Sequence, residues 1–371
     1  MINENRLIEN FLEMISFNSV SKQERDLADY LIMKFNDLGC SVKEDKAGEK
    51  IGGNCGNLYI RIEGDETLEP ILLSAHLDTV EPGLNKKAII GDDHIIRSHK
   101  DSVLGADDVA GIAAIFECIE TMIENNSTHR SIEILLSVAE EAHLQGISNF
   151  EPDYLKSRQA YILDTSGPPG KAILKAPGHV KLVFQIRGRA AHAGIEPSKG
   201  VNAISIAAKG ISEMKTGQVD DETTANVGSI TGGGETNVVA DFCEFTAECR
   251  SLSAAKLNDQ VNHMKSCVIK AAELWGGQVQ IDEHVSYLPY AIDRNSKVVQ
   301  RFNEACKAVG IVPSYDKTGG GSDNNVLNQH AIEGIVISCG MNDVHSVNEN
   351  ISVEDLIMTA RLTYALIFSS L

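Results

Sequence analysis

Ile71-Leu72-Leu73-Ser74-Ala75-His76-Leu77-Asp78 opens with a mostly apolar run of five residues closed by a histidine and, two places on, an aspartate. A run this short and this apolar reads as a strand covered on both faces. The same signature recurs at 57–62 (NLYIRI), 131–137 (SIEILLS) and 160–163 (AYIL), and helical periodicity is legible at 3–17, 23–38 and 108–124. Apolar strands alternating with helices predict an α/β domain with a mostly parallel central sheet. In such a sheet, sites are built in the loops beyond the strand carboxyl ends.

The pattern changes after the Gly/Pro-rich residues 166–170 and Ala176-Pro177-Gly178. Longer strands with period-two alternation appear at 180–187, 225–230, 238–249 and 278–283, with helices at 200–215 and 254–275. Four strands and two helices predict a smaller α+β domain inserted into the first. From about residue 289 the α/β pattern resumes and ends in an amphipathic helix, 353–371. The expected division is 1–176 with 289–371 for one domain and 177–288 for the insert.

Lys and Arg number 33 against 52 Asp and Glu, a formal charge of −19, with no dense basic cluster. Such a surface repels phosphate backbones and anionic lipid, which argues against nucleic-acid and membrane partners. No apolar run reaches the ~18 residues of a membrane span. The N-terminal apolar residues Leu7, Ile8, Phe11, Leu12 and Ile15 fall at helical spacing instead of forming the continuous core of a secretion signal. Eight cysteines are scattered singly without a CxxC pair, which points to a reduced, cytoplasmic setting.

Metal-competent residues stand at the ends of the predicted strands: His76 and Asp78, Asp107, Glu140 and Glu141, Asp164, and His345. Each has a plainer reading alone. Asp107 could cap the following helix, the two glutamates could be a solvated helix start, and Asp164 a turn residue. Together they form the set a two-metal hydrolase needs: two imidazoles, two terminal carboxylates, a bridging carboxylate, and one carboxylate kept off the metals as a base.

The segments Ser-Ala-His76-Leu-Asp78-Thr-Val, Gly-Ala-Asp107-Asp-Val-Ala-Gly, Ala-Glu140-Glu141, Leu-Asp164-Thr, Gly-Arg-Ala-Ala-His192-Ala-Gly and Gly-Gly-Ser-Asp323 run through nearly the whole chain. In that order they resemble the M20 family of metallopeptidases, most closely its peptidase T (tripeptidase) group. The resemblance implies a zinc-peptidase-like catalytic domain and a dimerisation or lid domain. It makes His76 and Asp164 ligands of one metal, Glu141 and His345 ligands of the other, Asp107 the bridge and Glu140 the general base. Asp78 would orient the His76 ring through its carboxylate. His192 would reach the active site of a partner subunit in a homodimer, and Arg250 and Asn237 would hold the substrate. The implied cofactors are two divalent ions per subunit, zinc first, with cobalt and manganese as alternatives. The implied activity is release of the N-terminal residue from a short peptide. The rival readings are an M20-type deacylase of N-acyl amino acids and a noncatalytic peptide-binding protein.

The glycines Gly319-Gly320-Gly321 lack the GxxxxGK[ST] of a nucleotide loop, so a flexible substrate loop is expected there. The chain is shorter than the well-known tripeptidases, and Ala193 follows His192 where Pro is often found; both loosen the expectation of strict tripeptide specificity.

Overall fold

The strand Ile71–His76 is buried along its whole length because it has a parallel neighbour on each side. Ile132–Ser137 pairs with it on one side and Gln159–Thr165 on the other; Glu333–Ser338 then adds in parallel to Gln159–Thr165. These four strands are the parallel centre of a sheet that is nine-stranded among the described residues, with antiparallel strands on both flanks. The computed structural model describes residues 1–99 and 101–369. The helix Ala106–Glu124 is almost entirely buried, packing on two of the central strands and on the helices Glu4–Ile15 and Val353–Phe368. The terminal helix thus stops at Phe368, and residues 370 and 371 of the expected span lie outside the described residues. A second small sheet of short strands, Ala88–Ile90, Ile95–Ser98, Met341–Asn342 and Asn350–Ser352, was not anticipated.

The chain divides into two compact units: Met1–Leu174 with Ala291–Lys317 and Ser322–Leu371, and Lys175–Tyr290 with Thr318–Gly321. The second unit therefore takes in the glycines Gly319-Gly320-Gly321, which the sequence reading left in the first. Its sheet has five strands, one more than expected. The extra strand, Gly217–Asp220, is a polar edge strand with no apolar alternation to betray it. The strand expected at 238–249 runs at Phe242–Ser251. The helices Ala203–Glu213 and Ala254–Trp275 pack on this sheet, the first capped by Asn202 and the second by Ser253.

Phe184 and Phe245 are cross-strand partners with ring centroids 4.5 Å apart in the centre of this core. Replacing Phe184 by Ala should cost about 3–5 kcal/mol, the usual range for a buried Phe→Ala. Urea unfolding followed by circular dichroism reads this directly, and a wild-type midpoint in Phe184→Ala would contradict the assigned packing.

Candidate metal centre

The four parallel strands all end at one edge of the sheet, and each delivers part of one cluster there. His76 is the last residue of its strand; Asp164 lies near the end of Gln159–Thr165. Glu140 and Glu141 follow Ile132–Ser137, and His345 follows Glu333–Ser338. Asp107 enters from the start of Ala106–Glu124, where Asp107 and Asp108 have non-helical backbone angles.

His76 Nε2 lies 3.0 Å from Asp107 Oδ1 and 3.7 Å from Asp164 Oδ1. The other oxygen of Asp107 lies 3.2 Å from His345 Nε2, which is also 2.7 Å from Glu141 Oε1. Asp107 thus stands between the two imidazoles. One ligand atom each from His76, Asp107 and Glu141 lies within 4.8 Å of the others, and so do atoms from His76, Asp108 and Asp164.

The electrostatics of the cluster favour added positive charge. Burial, reinforced by neighbouring Asp107 and Glu141, pushes Asp164 up to about 7 against its contact with His76. Burial and then Asp164 hold the Glu140 carboxyl well above the usual carboxylate range. Hydrogen bonds to the Asp107 and Glu141 carboxylates push His345 up to about 10. His76 is raised as well, because burial, which lowers it, is outweighed by Asp107, Asp164 and Asp78. The carboxylates thus draw protons onto both rings. Imidazole nitrogen and carboxylate oxygen are the donors that zinc takes, so a divalent ion fits this set.

Asp78 differs from expectation in how it acts. The His76 ring nitrogen Nδ1 is 2.9 Å from the main-chain oxygen of Asp78 and 3.5 Å from its carboxylate. The carboxylate itself accepts the N–H groups of Glu140 (2.8 Å) and Glu141 (3.1 Å) and the Ser21 hydroxyl. Asp78 therefore holds the ring through its backbone and anchors the glutamate turn through its side chain.

Three further acids belong to this region and were missed. Asp108 accepts the N–H of His76 at 3.1 Å and that of Gly111 at 3.2 Å. Glu349 accepts the N–H of Gly105 at 2.7 Å and that of Asp107 at 2.9 Å, and burial pushes it up to about 7. Glu24, fully buried, accepts the N–H of Ala139, next to the two glutamates, at 3.0 Å. Only Asp108 left a visible mark in the sequence, the Asp-Asp doublet. Asp323, from the Gly-Gly-Ser-Asp segment, is buried with one oxygen on the Ser137 hydroxyl; burial pushes it up to about 6.

His192, Asn237 and Arg250 lie in the second unit. His192 is exposed and pairs across a β-bridge with Val238, while the N–H of Ala193 donates to the Asn237 carbonyl. Arg250 lies near the other end of the sheet. Its guanidinium contacts Glu248 at 3.3 Å and the Gly319 carbonyl at 3.4 Å, and Glu248 also contacts His179 at 3.0 Å. Gly321 is required in that loop, since a Cβ there would stand 2.3 Å from the Tyr287 ring.

Two family models match the chain: the peptidase dimerisation domain over residues 174–275 and peptidase family M28 over residues 57–204. The chain is 37% identical to the protein YqjE of Bacillus subtilis (strain 168) over 99% of both. It is 38% identical, with a TM-score of 0.91, to the crystal structure of aminopeptidase PepT from Bacillus cereus, covering 99% of this chain and 98% of that one. A tripeptidase structure from Staphylococcus aureus matches at 35% identity and a TM-score of 0.94, with the same coverage. With this likeness over its whole length and the cluster at its sheet edge, the chain belongs to the M20 family of peptidases, in the group of the PepT aminopeptidases and tripeptidases.

Proposed function

We propose that this peptidase is a two-metal aminopeptidase that releases the N-terminal residue of short peptides. The observation that carries the two-metal part is Asp107, with one oxygen toward His76 and the other toward His345. In this reading His76 and Asp164 hold one ion, Glu141 and His345 the other, and Asp107 both. Two zinc ions bound there would polarise the scissile carbonyl and acidify the attacking water.

Glu140 is the base. Among the described residues no hydrogen bond or ion pair occupies its carboxyl, whereas those of Asp107, Glu141 and Asp164 each contact an imidazole, so it is available to a substrate or a water. A carboxyl raised by burial also suits a group that takes a proton from water and returns it to the leaving amine near neutral pH. His192 would donate to the developing oxyanion, presented by the partner in a homodimer, which the match to a dimerisation domain supports. Asn237 and Arg250 would hold the peptide's carbonyl and carboxylate. Eight unpaired cysteines, seven of them buried, support a reducing compartment and hence the cytoplasm. Among the described residues no helix is long and apolar enough to cross a membrane.

The substrate reading rests on the whole-length likeness to an aminopeptidase and a tripeptidase. Its test is a screen of free di-, tri- and tetrapeptides beside their N-acetylated forms, with products identified by mass spectrometry. Free peptides should lose their first residue and acetylated ones should persist. Faster turnover of the acetylated series would replace this reading with that of a deacylase.

A further inference from the structure

The turn that carries Glu140 and Glu141 is held by side chains from elsewhere in the chain. Four successive main-chain N–H groups, from Val138 to Glu141, each donate to a side-chain oxygen. Val138 donates to Asn57 Oδ1 at 3.0 Å, Ala139 to Glu24 Oε1 at 3.0 Å, and Glu140 and Glu141 to the two oxygens of Asp78. Ala139 needs such a hold, because its φ of +50° lies in the left-handed region that residues with a Cβ rarely adopt. The acceptor at that residue is Glu24. Its relative exposure is 0%, and the same Oε1 also accepts the Lys22 N–H at 2.7 Å. Its other oxygen faces the Cys55 thiol at 4.0 Å. Glu24 opens the helix Arg25–Asp37, so this bond ties the glutamate turn to a packed helix.

We propose that Glu24 is a positioning residue for the base: by accepting the Ala139 N–H it fixes the turn from which the Glu140 carboxyl is aimed. A buried N–H left without an acceptor reshapes its segment, and a displaced base loses rate without loss of substrate binding. What matters is the acceptor and not the charge, since a glutamine oxygen could serve in its place. The inference rests on Glu140 being the base.

Glu24→Met keeps the size of the side chain and removes the acceptor, whereas Glu24→Gln keeps both. Each is purified as folded protein, loaded with zinc, and compared by steady-state kinetics and elemental analysis. Glu24→Met should lose about 10–100-fold in kcat, the range seen when supporting groups are removed. Its KM and its metal content should stay at wild-type values. Glu24→Gln should recover most of the loss. Wild-type kcat in Glu24→Met, an equal loss in Glu24→Gln, or metal depletion matching that of Glu141→Gln would each overturn the proposal. A purely structural role would lower thermal stability and leave the kcat of the folded enzyme alone. If Glu24→Met does not fold, Glu24→Asp takes its place: it keeps the charge, withdraws the acceptor from Ala139 and should show the same kcat loss, and wild-type kcat there would be equally fatal. Glu140→Gln, measured alongside, separates the two readings. Full activity in it removes the base itself, whereas an inactive Glu140→Gln beside a fully active Glu24→Met removes only the positioning role.

Discussion

Glu140→Gln is expected to keep the fold and the bound metals while losing about 10²–10⁴-fold in kcat, the usual share of a positioned acid or base. The neighbouring substitution Glu141→Gln should behave differently, because the two glutamates differ in partners although they share an anchor. Both main-chain N–H groups end on the Asp78 carboxylate. The Glu141 side chain, however, contacts His345 Nε2 at 2.7 Å, within a group of ligand atoms that also holds Asp107 and His76. Removing its charge leaves that group one donor short, so Glu141→Gln should retain less metal in elemental analysis after dialysis. Glu140 has no such contact, and its amide analogue differs from it only in being unable to take a proton. A Glu140→Gln enzyme with most of its wild-type kcat would end its assignment as base. Equal metal depletion in the two variants would show that the roles of the glutamates are wrongly divided.

The strands of the parallel centre could be read from sequence because both of their faces are covered, which keeps the runs predominantly apolar. Their ligands could be read for the same reason, since a histidine or acid that abruptly closes such a run marks a strand's carboxyl end. The acids supporting the site could not be read in this way. Asp108, Glu24 and Glu349 are buried to serve main-chain N–H groups at distant positions, 32, 115 and 244 residues away respectively. In the sequence Glu24 and Glu349 stand among polar neighbours, as in Ser21-Lys22-Gln23-Glu24-Arg25, and Asp108 shows only as the second member of a doublet at a helix start. Periodicity reports which face of an element is covered; it carries no signal for a side chain that satisfies another segment's backbone. The small sheet built from Ala88–Ile90, Ile95–Ser98, Met341–Asn342 and Asn350–Ser352 escaped for a related reason. Strands of two to four residues are too short to show alternation. The Arg250 contacts also depend on a chain return, because Gly319 comes back to the second unit after the chain has left it.

Co-expression of His192→Ala and Glu140→Ala chains should restore activity that neither variant shows alone. The reason lies in the second unit. Its sheet holds Gly178 opposite Ser251 at one end and Arg187 opposite Phe242 at the other. The strand Gly178–Arg187 has ten residues, so at ~3.3 Å per residue it separates those ends by about 30 Å. The chain enters the unit at Lys175 and leaves at Tyr290, both next to the Gly178 end, where His179, Arg250 and Gly319 gather. His192 and Asn237 lie beyond the Arg187 end, the end remote from those chain crossings. A single sheet therefore does not present Arg250 and His192 to the same short peptide. In the proposed homodimer, two subunits related by a twofold axis would do so, each supplying the far end of its sheet to the other's site. In a mixed dimer, the chain that keeps Glu140 carries His192→Ala and receives an intact His192 from its partner, which gives one working site of two. The heterodimer can be isolated with two different affinity tags and should show about half the kcat per dimer of the wild type, the value for one site of two. Should it stay as inactive as either parent while wild-type dimers purified alongside work normally, His192 does not act across the subunits.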